Sequence, residues 1–334
     1  MPAIALISIP IIACAMIAAA FAPPAIANDT TAELATGGLV LTTNSDIIMR
    51  AERLFISMTE VRVRYVFFNK SDKDISSTIA FPMPDIRGDA VTDIAVPTAD
   101  PQNVLGFSVI SAGRAVNSRV EQKAFANGVD QTEVLRRLGI PLAPHVESTH
   151  NALDKLPRTE WTHLVNLGLA DPDTAMKKEH LFPRWTLKTT YFWQDTFPAR
   201  RRLVVEHRYK PSVGSSVVTM LGNPDPAIES LASYQRKYCV DADFVDTVTR
   251  ARRAADSKYA PFTERRIEYI LATGANWAGP IGSFTLVVDK GSSQNLVSFC
   301  ANGVKKISPT QFEVRKRNFI PTSDLSILIL QPKS

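Results

Sequence analysis

The sequence predicts a mainly β protein, with one or more immunoglobulin-like β-sandwiches and a helical insertion around residues 127–178. Three observations carry this prediction. Short segments of alternating apolar and polar residues recur along most of the chain, and Gly, Pro, Asn or Asp clusters separate them. The alternation gives way to helical spacing once in the first two thirds of the chain. A period of two is typical of a strand with one buried face, and many short strands between turns are typical of sandwiches.

The clearest strand signal lies in residues 60–69, EVRVRYVFFN, where apolar side chains alternate with Arg62 and Arg64. This pattern predicts a strand with one buried face. The polar NKSDKD that follows predicts a turn. Residues 76–85, SSTIAFPMPD, then predict a returning strand that ends at its two prolines. Ala112-Gly113 predicts a further hairpin.

The helical insertion begins in DQTEVLRRLGIPLAPH, where Asp130 and Thr132 are possible N-caps and Gly139 is the expected helix end. The segment RTEWTHLVNLGLADP has a second helical spacing. These patterns place an insertion of helices, residues 127–178, on a β scaffold.

After residues 1–27, the sequence predicts two regions. Residues 28–212 form an N-terminal β-sandwich that carries the insertion, and residues 213–334 form a C-terminal β region with a short helical segment. In the second part, residues 272–282, ATGANWAGPIG, predict a turn between two strands. A phosphate-binding P-loop would need Lys-Ser/Thr after the last glycine and a helix after that, whereas here Ser-Phe-Thr-Leu and a strand follow.

Residues 1–27 are typical of a secretory signal peptide. No charged side chain precedes Asp29, and the apolar run contains Pro23-Pro24 and ends in Ala25-Ile26-Ala27. Such a small-x-small ending predicts cleavage after Ala27. A transmembrane anchor is the rival interpretation, but the two helix-breaking prolines favour cleavage. We therefore expect a periplasmic or secreted protein without a transmembrane anchor after cleavage.

The net charge is +5, and its basic pairs and triplets are scattered along the chain. Most of them are expected to be solvated surface. A partner remains unknown at this level: an envelope protein or an anionic envelope surface would fit. Nucleic acid is not expected, because no nucleic-acid-binding motif occurs.

Two cysteines, Cys239 and Cys300, remain once the leader is removed. An even pair in an oxidising compartment predicts a disulfide. The alternative is a redox-active or nucleophilic cysteine, but neither residue has a C-x-x-C partner or a histidine close in sequence.

The sequence lacks the motifs of several common enzyme classes. No H-E-x-x-H, C-x-x-C, G-x-S-x-G, S-x-x-K or G-x-G-x-x-G pattern occurs. Of the five histidines, His145, His150 and His163 fall in the insertion, where their spacing fits a surface or capping role better than a zinc site. We therefore expect no metal and no cofactor, and we lean against an enzyme. A hydrolase that uses His163 or His207 with an acidic neighbour is the alternative.

A candidate binding surface combines aromatic and basic side chains. The segment TTYFWQDTFPARRR places aromatic residues beside an arginine cluster, although aromatic residues also dominate cores. A tryptophan on a loop is a common recognition anchor. The candidate residues are Asn276, Trp277, Tyr191, Trp193, Arg200, Arg201 and Arg202.

Several phrases together resemble the uncharacterised bacterial family called domain of unknown function 4424. They are NDTTAELATGGLVLTTNSDIIM, VRVRYVFFNKSDKDISSTIAFPMPDI, YFWQDTFPA and YILATGANWAGPIGSFTLVVDKG, followed by LVSFC. The resemblance spans nearly the whole mature chain. It implies an exported bacterial protein with an immunoglobulin-like β-sandwich component, and it supplies no catalytic residues.

These observations together favour an exported envelope protein that binds or interacts without catalysis. The envelope hydrolase and a structural or assembly factor of the envelope remain the alternatives. Fold alone does not choose among them, because function lies in sites.

Overall fold

The computed structural model describes residues 30–35, 38–88, 93–95, 97–98, 100–173, 180–223 and 228–333. The predicted signal peptide, residues 1–27, lies outside the described residues. The described part contains twenty-two strands, five α-helices and one 3₁₀ helix, so the protein is mainly β.

Sheet A has seven strands, and all of its pairs are antiparallel. They are β1 (Thr30–Ala35), β2 (Gly38–Thr42), β5 (Ile75–Pro82), β6 (Ile86–Arg87), β10 (Arg119–Ala126), β11 (Val129–Asp130) and β14 (Thr186–Phe197). The order is β11-β10-β14-β5-β1-β2, with β6 beside β14.

Sheet B has eight strands from both halves of the chain. They are β3 (Ile47–Ile56), β4 (Val61–Asn69), β8 (Ser108–Ser111), β9 (Arg114–Val116), β15 (Arg202–Tyr209), β18 (Ile281–Asp289), β20 (Lys305–Lys306) and β21 (Gln311–Phe319). The order is β20-β21-β18-β3-β4-β15-β8-β9. The pair β18–β3 is parallel, whereas the other neighbours are antiparallel.

Sheet C and a separate two-stranded pair complete the β structure. Sheet C consists of β7 (Asp93–Ala95), β16 (Val213–Ser216), β17 (Phe262–Tyr269), β19 (Leu296–Phe299) and β22 (Leu325–Pro332). Its order is β19-β22-β17-β16-β7. The pair consists of β12 (Ala170–Asp173) and β13 (His180–Pro183).

The helices fall into two groups. The first group lies in the predicted insertion and the second in the C-terminal third. They are α1 (Thr132–Arg137), α2 (Glu147–Asp154), α3 (Arg158–Asn166), α4 (Ile228–Tyr238), α5 (Ala242–Ala254) and the 3₁₀ helix η1 (Ala272–Asn276). The insertion of helices is therefore confirmed, and α1 ends as expected at Gly139, whose φ of +67° is readily adopted by glycine.

Sheet B is the shared layer of the molecule. Its inner face packs on sheet A, where Phe67 contacts Phe197 edge-on at 5.7 Å between ring centroids. The same inner face reaches sheet C, where the Tyr65 and Tyr269 hydroxyls lie 3.4 Å apart. Residues of all three sheets belong to one buried apolar cluster. The other face of sheet C is covered by α4 and α5, which form a second, smaller cluster with β22.

Two strands that are adjacent in sequence enter different sheets, which corrects one expectation. β5 does not return beside β4, because β4 pairs with β3 and β15, whereas β5 pairs with β1 and β14. The chain crosses between sheets after Asn69, whose side-chain amide donates to the carbonyls of Lys73 and Phe197 at 2.8 and 2.9 Å. Alternation predicts a buried face but does not name the strand that pairs with it.

The Ala112-Gly113 hairpin is confirmed. It joins β8 to β9, and both turn residues have positive φ, 49° and 77°, as a tight two-residue hairpin requires.

The predicted boundary at residue 212 does not separate two sets of sheets. Sheets B and C each contain strands from both sides of it, because β18 pairs with β3 and β16 pairs with β7. This topology does not confirm the immunoglobulin-like type of sandwich. The coarser prediction of packed β-sheets with helical excursions is confirmed.

The ATGANWAGPIG segment is a crossover between sheets rather than a turn between paired strands. It leaves β17 in sheet C, passes through η1 and enters β18 in sheet B. In this segment, the need for glycine is clear at position 282. A Cβ there would lie 2.7 Å from the carbonyl oxygen of Arg50, at the point where the β3–β4 register shifts.

Candidate functional site

The aromatic part of the predicted binding surface lies in the core. Tyr191 and Trp193 are each 2% exposed. Tyr191 stacks on Phe107 at 4.3 Å, and its hydroxyl donates to Asn103 Oδ1 at 2.7 Å. Their side of β14 faces sheet B, so these side chains are part of the sandwich interior and cannot form an exposed platform.

Trp277 is also buried, at 3% exposure, and its ring packs on Phe67 at 4.6 Å. Neighbouring Asn276 is half-buried, and its side-chain amide donates to Thr30 Oγ1 at 3.1 Å. The Asn276 carbonyl accepts from the Asn44 amide at 3.0 Å. This pair of residues therefore fastens the crossover to β1 and to the start of β3, which is a structural role.

The arginine cluster is the exposed part of the predicted surface. Arg200, Arg201 and Arg202 lie between β14 and the first residue of β15, and all three are exposed. Arg200 has a φ of 54° and forms an ion pair with Asp72 at 2.7 Å. The structure thus leaves the arginines at the surface but separates them from Tyr191, Trp193 and Trp277.

The two histidines named for a hydrolase lie in different environments. His163 is exposed on α3. His207 is 2% exposed and is enclosed by aromatic rings, of which Phe81 is nearest at 4.7 Å between centroids. Burial lowers the pKa of His207 to about 3, so the ring is neutral at ordinary pH.

The outer face of sheet B carries an extended array of charged side chains. The strand registers place them in two rows that run across neighbouring strands. The first row, from β21 to β8, is Arg315, Thr285, Arg53, Arg64, Glu206 and Ile110. The second row is Glu313, Val287, Phe55, Arg62, Arg208 and Ser108. Adjacent strands are about 4.8 Å apart, so neighbours in a row are close enough to act on one ligand.

A groove of about 670 Å³ opens between these rows. Four arginines line it, from three adjacent strands: Arg53, Arg62, Arg64 and Arg208. Phe55, Ile110, Val287 and Ile307 add apolar surface. Glu206 and Glu313 also line the groove, so the lining combines four positive and two negative side chains with apolar surface.

Carboxylates balance three of the four arginines. Glu60 pairs with Arg62 at 3.0 Å and with Arg208 at 2.9 Å, and Glu206 pairs with Arg64 at 3.2 Å. Arg53 lies directly opposite Arg64 and forms no ion pair with a carboxylate among the described residues. Like charges directly opposite each other in a sheet are unfavourable, and Glu206 offsets the charge of Arg64 but not that of Arg53.

Part of this groove was visible in the sequence. The alternation in EVRVRY places Arg62 and Arg64 opposite the buried face, and the structure agrees. The sequence does not assign Arg53 to the outer face, because the register shift between Met49 and Ala51 interrupts the alternation of β3. Arg208 could have been found from the same alternation in β15.

The predicted disulfide is confirmed. Cys239 and Cys300 are bonded and link the residue after α4 to the residue after β19. Within the described ranges, no group of three or more His, Cys, Asp or Glu side chains is arranged to hold a metal ion. No helix in the same ranges is long and apolar enough to cross a membrane.

Comparison with known families settles the relationship of the chain. The family model described as domain of unknown function (DUF4424) matches residues 27–328. The chain belongs to this family. Among curated proteins, none matches this DUF4424 chain.

Two solved structures have a partial likeness to this DUF4424 protein. A candidate nutrient binding protein from Legionella pneumophila is 15% identical, with a TM-score of 0.46, over 91% of this chain and 70% of that one. An M1 zinc metallopeptidase from Deinococcus radiodurans is 6% identical, with a TM-score of 0.21, over 86% of this chain and 43% of that one. At these TM-scores neither likeness extends to function.

Proposed function

We propose that this protein is an exported, non-catalytic binding protein whose outer groove on sheet B holds a small ligand with a carboxylate or phosphate group. The observation that carries the proposal is the Arg53–Arg64 pair. Arg64 already has Glu206 as a partner, whereas Arg53 has no carboxylate among the described residues. An anion between the two guanidinium groups would remove their repulsion.

The chemistry of arginine supports an anionic group as the feature that is recognised. The planar guanidinium offers parallel N–H donors that match carboxylate and phosphate oxygens in a bidentate arrangement. Arg62 is held in place for such a role by Glu60 and by the Phe55 ring, over which its guanidinium lies at 4.4 Å. Preorganised donors reduce the entropy lost on binding.

The size of the groove supports a small molecule as the occupant. Its volume of about 670 Å³ lies within the range of roughly 300–1,000 Å³ that is typical of small-molecule sites. Ile110 and Ile307, which are 42% and 48% exposed, would contact the apolar part of the ligand. We therefore expect an amphipathic ligand with one compact anionic group.

The test is isothermal titration of the full mature chain with pyrophosphate and with citrate, which carry the two candidate groups. Arg53→Gln should weaken binding by about 10-fold or more, because it removes a charged hydrogen-bond donor. Arg119→Gln is the matched control, since it removes the same charge from an exposed arginine in sheet A. Equal affinities of Arg53→Gln and the wild type would overturn the proposal.

An anionic envelope surface is the other source of the same chemistry. Co-sedimentation with phosphatidylglycerol vesicles, with and without free pyrophosphate, separates the two sources. Vesicle binding that free pyrophosphate does not compete, together with no binding of either small anion, would reject the small-ligand proposal.

Export is part of the proposal. The disulfide is compatible with an oxidising, extracytoplasmic compartment. Mass spectrometry of the protein from the host envelope fraction should give the mass of a chain that begins at Asn28. That mass should be two hydrogens below the mass of the reduced chain, because the disulfide is formed. A full-length mass from the cytoplasmic fraction would contradict export.

A further inference from the structure

Two histidines that are distant in sequence meet beside one carboxylate in the helical insertion. His150 lies on α2 and His180 on β13, and the His150 Nδ1 and His180 Nε2 atoms are 3.1 Å apart. Asp154 follows His150 by one helical turn. Its two carboxylate oxygens lie 2.7 and 2.8 Å from His180 Nδ1.

The carboxylate fixes the tautomer of His180. An ionised carboxylate only accepts hydrogen bonds, so His180 Nδ1 carries the proton and donates it to Asp154. In the neutral ring, the lone pair is then on Nε2, the atom that faces His150. The backbone amide of Leu181 donates to the same carboxylate at 3.4 Å, which further holds Asp154 in place.

The surroundings keep both rings in position. The two imidazoles are nearly parallel, with an interplanar angle of 16°, and the Phe182 ring lies edge-on to both. The side chains of His180 and Asp154 are only 21% and 23% exposed.

We propose that His150 and His180 bind a divalent transition-metal ion, with water completing the coordination shell and Asp154 positioning His180. Two nitrogens that each lie about 2.05 Å from one tetrahedral ion are about 3.3 Å apart, close to the separation found here. A metal-ligating histidine usually donates its other N–H to a carboxylate, which is the arrangement of His180 and Asp154.

Imidazole donors select the class of ion. Two neutral nitrogens suit Cu²⁺, Ni²⁺ and Zn²⁺ and do not suit Mg²⁺ or Ca²⁺, which prefer oxygen. Among these ions Cu²⁺ should bind tightest. With two protein ligands the site should exchange its ion more readily than a closed four-ligand site.

The experiment is titration of the purified full mature chain with Cu²⁺, followed by calorimetry and by electron paramagnetic resonance. One equivalent should bind, and the nitrogen splitting should show two coordinating nitrogens. The His150→Ala, His180→Ala double variant should lose this binding. His163→Ala, which removes an exposed histidine from α3, should keep it.

A further variant tests the positioning role. Asp154→Asn should weaken Cu²⁺ binding by about 10- to 100-fold while it leaves the nitrogen count unchanged. Unaltered Cu²⁺ affinity in the double variant would overturn the proposal. If the variants do not fold, the wild-type protein alone tests the proposal. No bound Cu²⁺, or a spectrum without two coordinating nitrogens, would mean that the two histidines share only a proton and would overturn the proposal.

Discussion

His207 should make the stability of this protein depend on pH in a defined window. Its ring is 2% exposed and lies among the rings of Phe81, Phe107 and Trp193, at 4.7, 5.2 and 5.2 Å. Burial lowers its pKa to about 3 in the folded state, compared with about 6.5 in the unfolded chain. Below pH 6.5 the unfolded state therefore binds a proton that the folded state does not bind. The free energy of unfolding therefore falls as the pH falls from about 6.5 to 3. Above pH 6.5 His207 does not lower it.

The magnitude follows from the two pKa values. Each pH unit inside the window lowers the free energy of unfolding by about 1.4 kcal/mol. Between pH 7 and pH 5 the loss assigned to His207 is about 2 kcal/mol, because part of that interval lies above 6.5. This is a large fraction of the stability of an ordinary domain.

The assay is urea unfolding at pH 7 and pH 5, followed by tryptophan fluorescence, for the wild type and for His207→Leu. Leucine is similar in volume to histidine and cannot titrate. Carboxylates titrate in both proteins, so the wild type should lose about 2 kcal/mol more than the variant between the two pH values. His163→Leu, at an exposed position, should keep the wild-type difference. An equal pH difference in the wild type and His207→Leu would refute the burial argument.

Two further predictions concern stability. Replacement of Cys239 and Cys300 by alanine opens a link that spans 61 residues, and it should lower the free energy of unfolding by about 4 kcal/mol on the chain-entropy model; an unchanged urea midpoint under non-reducing conditions would contradict this. Gly282→Ala should cost about 1–3 kcal/mol, because its Cβ would lie 2.7 Å from the Arg50 carbonyl oxygen. Gly214→Ala is the control, since its Cβ would meet no atom closer than 3.5 Å, and equal urea midpoints for the two variants would reject the steric explanation.

Only some of the arginines of the candidate groove can be assigned to the outer face from the local sequence pattern. Arg62 and Arg64 are assigned to the outer face by alternation alone, because successive side chains of a strand point to opposite faces. Arg53 joins them only through the register of β3 with β4. Register depends on which strands pair, and alternation within one strand carries no information on its partner.

For the aromatic residues, the sequence does not distinguish a binding surface from a buried core. Tyr191, Trp193 and Trp277 are consistent with either a recognition surface or a core when only the sequence is known. Trp277 is buried against β4 and Trp193 against β15, whereas Tyr191 is buried against Phe107, just before β8. Large apolar rings gain more free energy from this burial than from exposure to water.

The sequence by itself determined the β class, the helical insertion and the pairing of Cys239 with Cys300, because periodicity, turn residues and cysteine number act locally or by count. Only the tertiary structure decided that β4 and β5 enter different sheets, that Arg53 faces Arg64 and that His150 meets His180. Those contacts join residues that are distant in sequence. They form through the packing of whole sheets and helices, which no local pattern encodes.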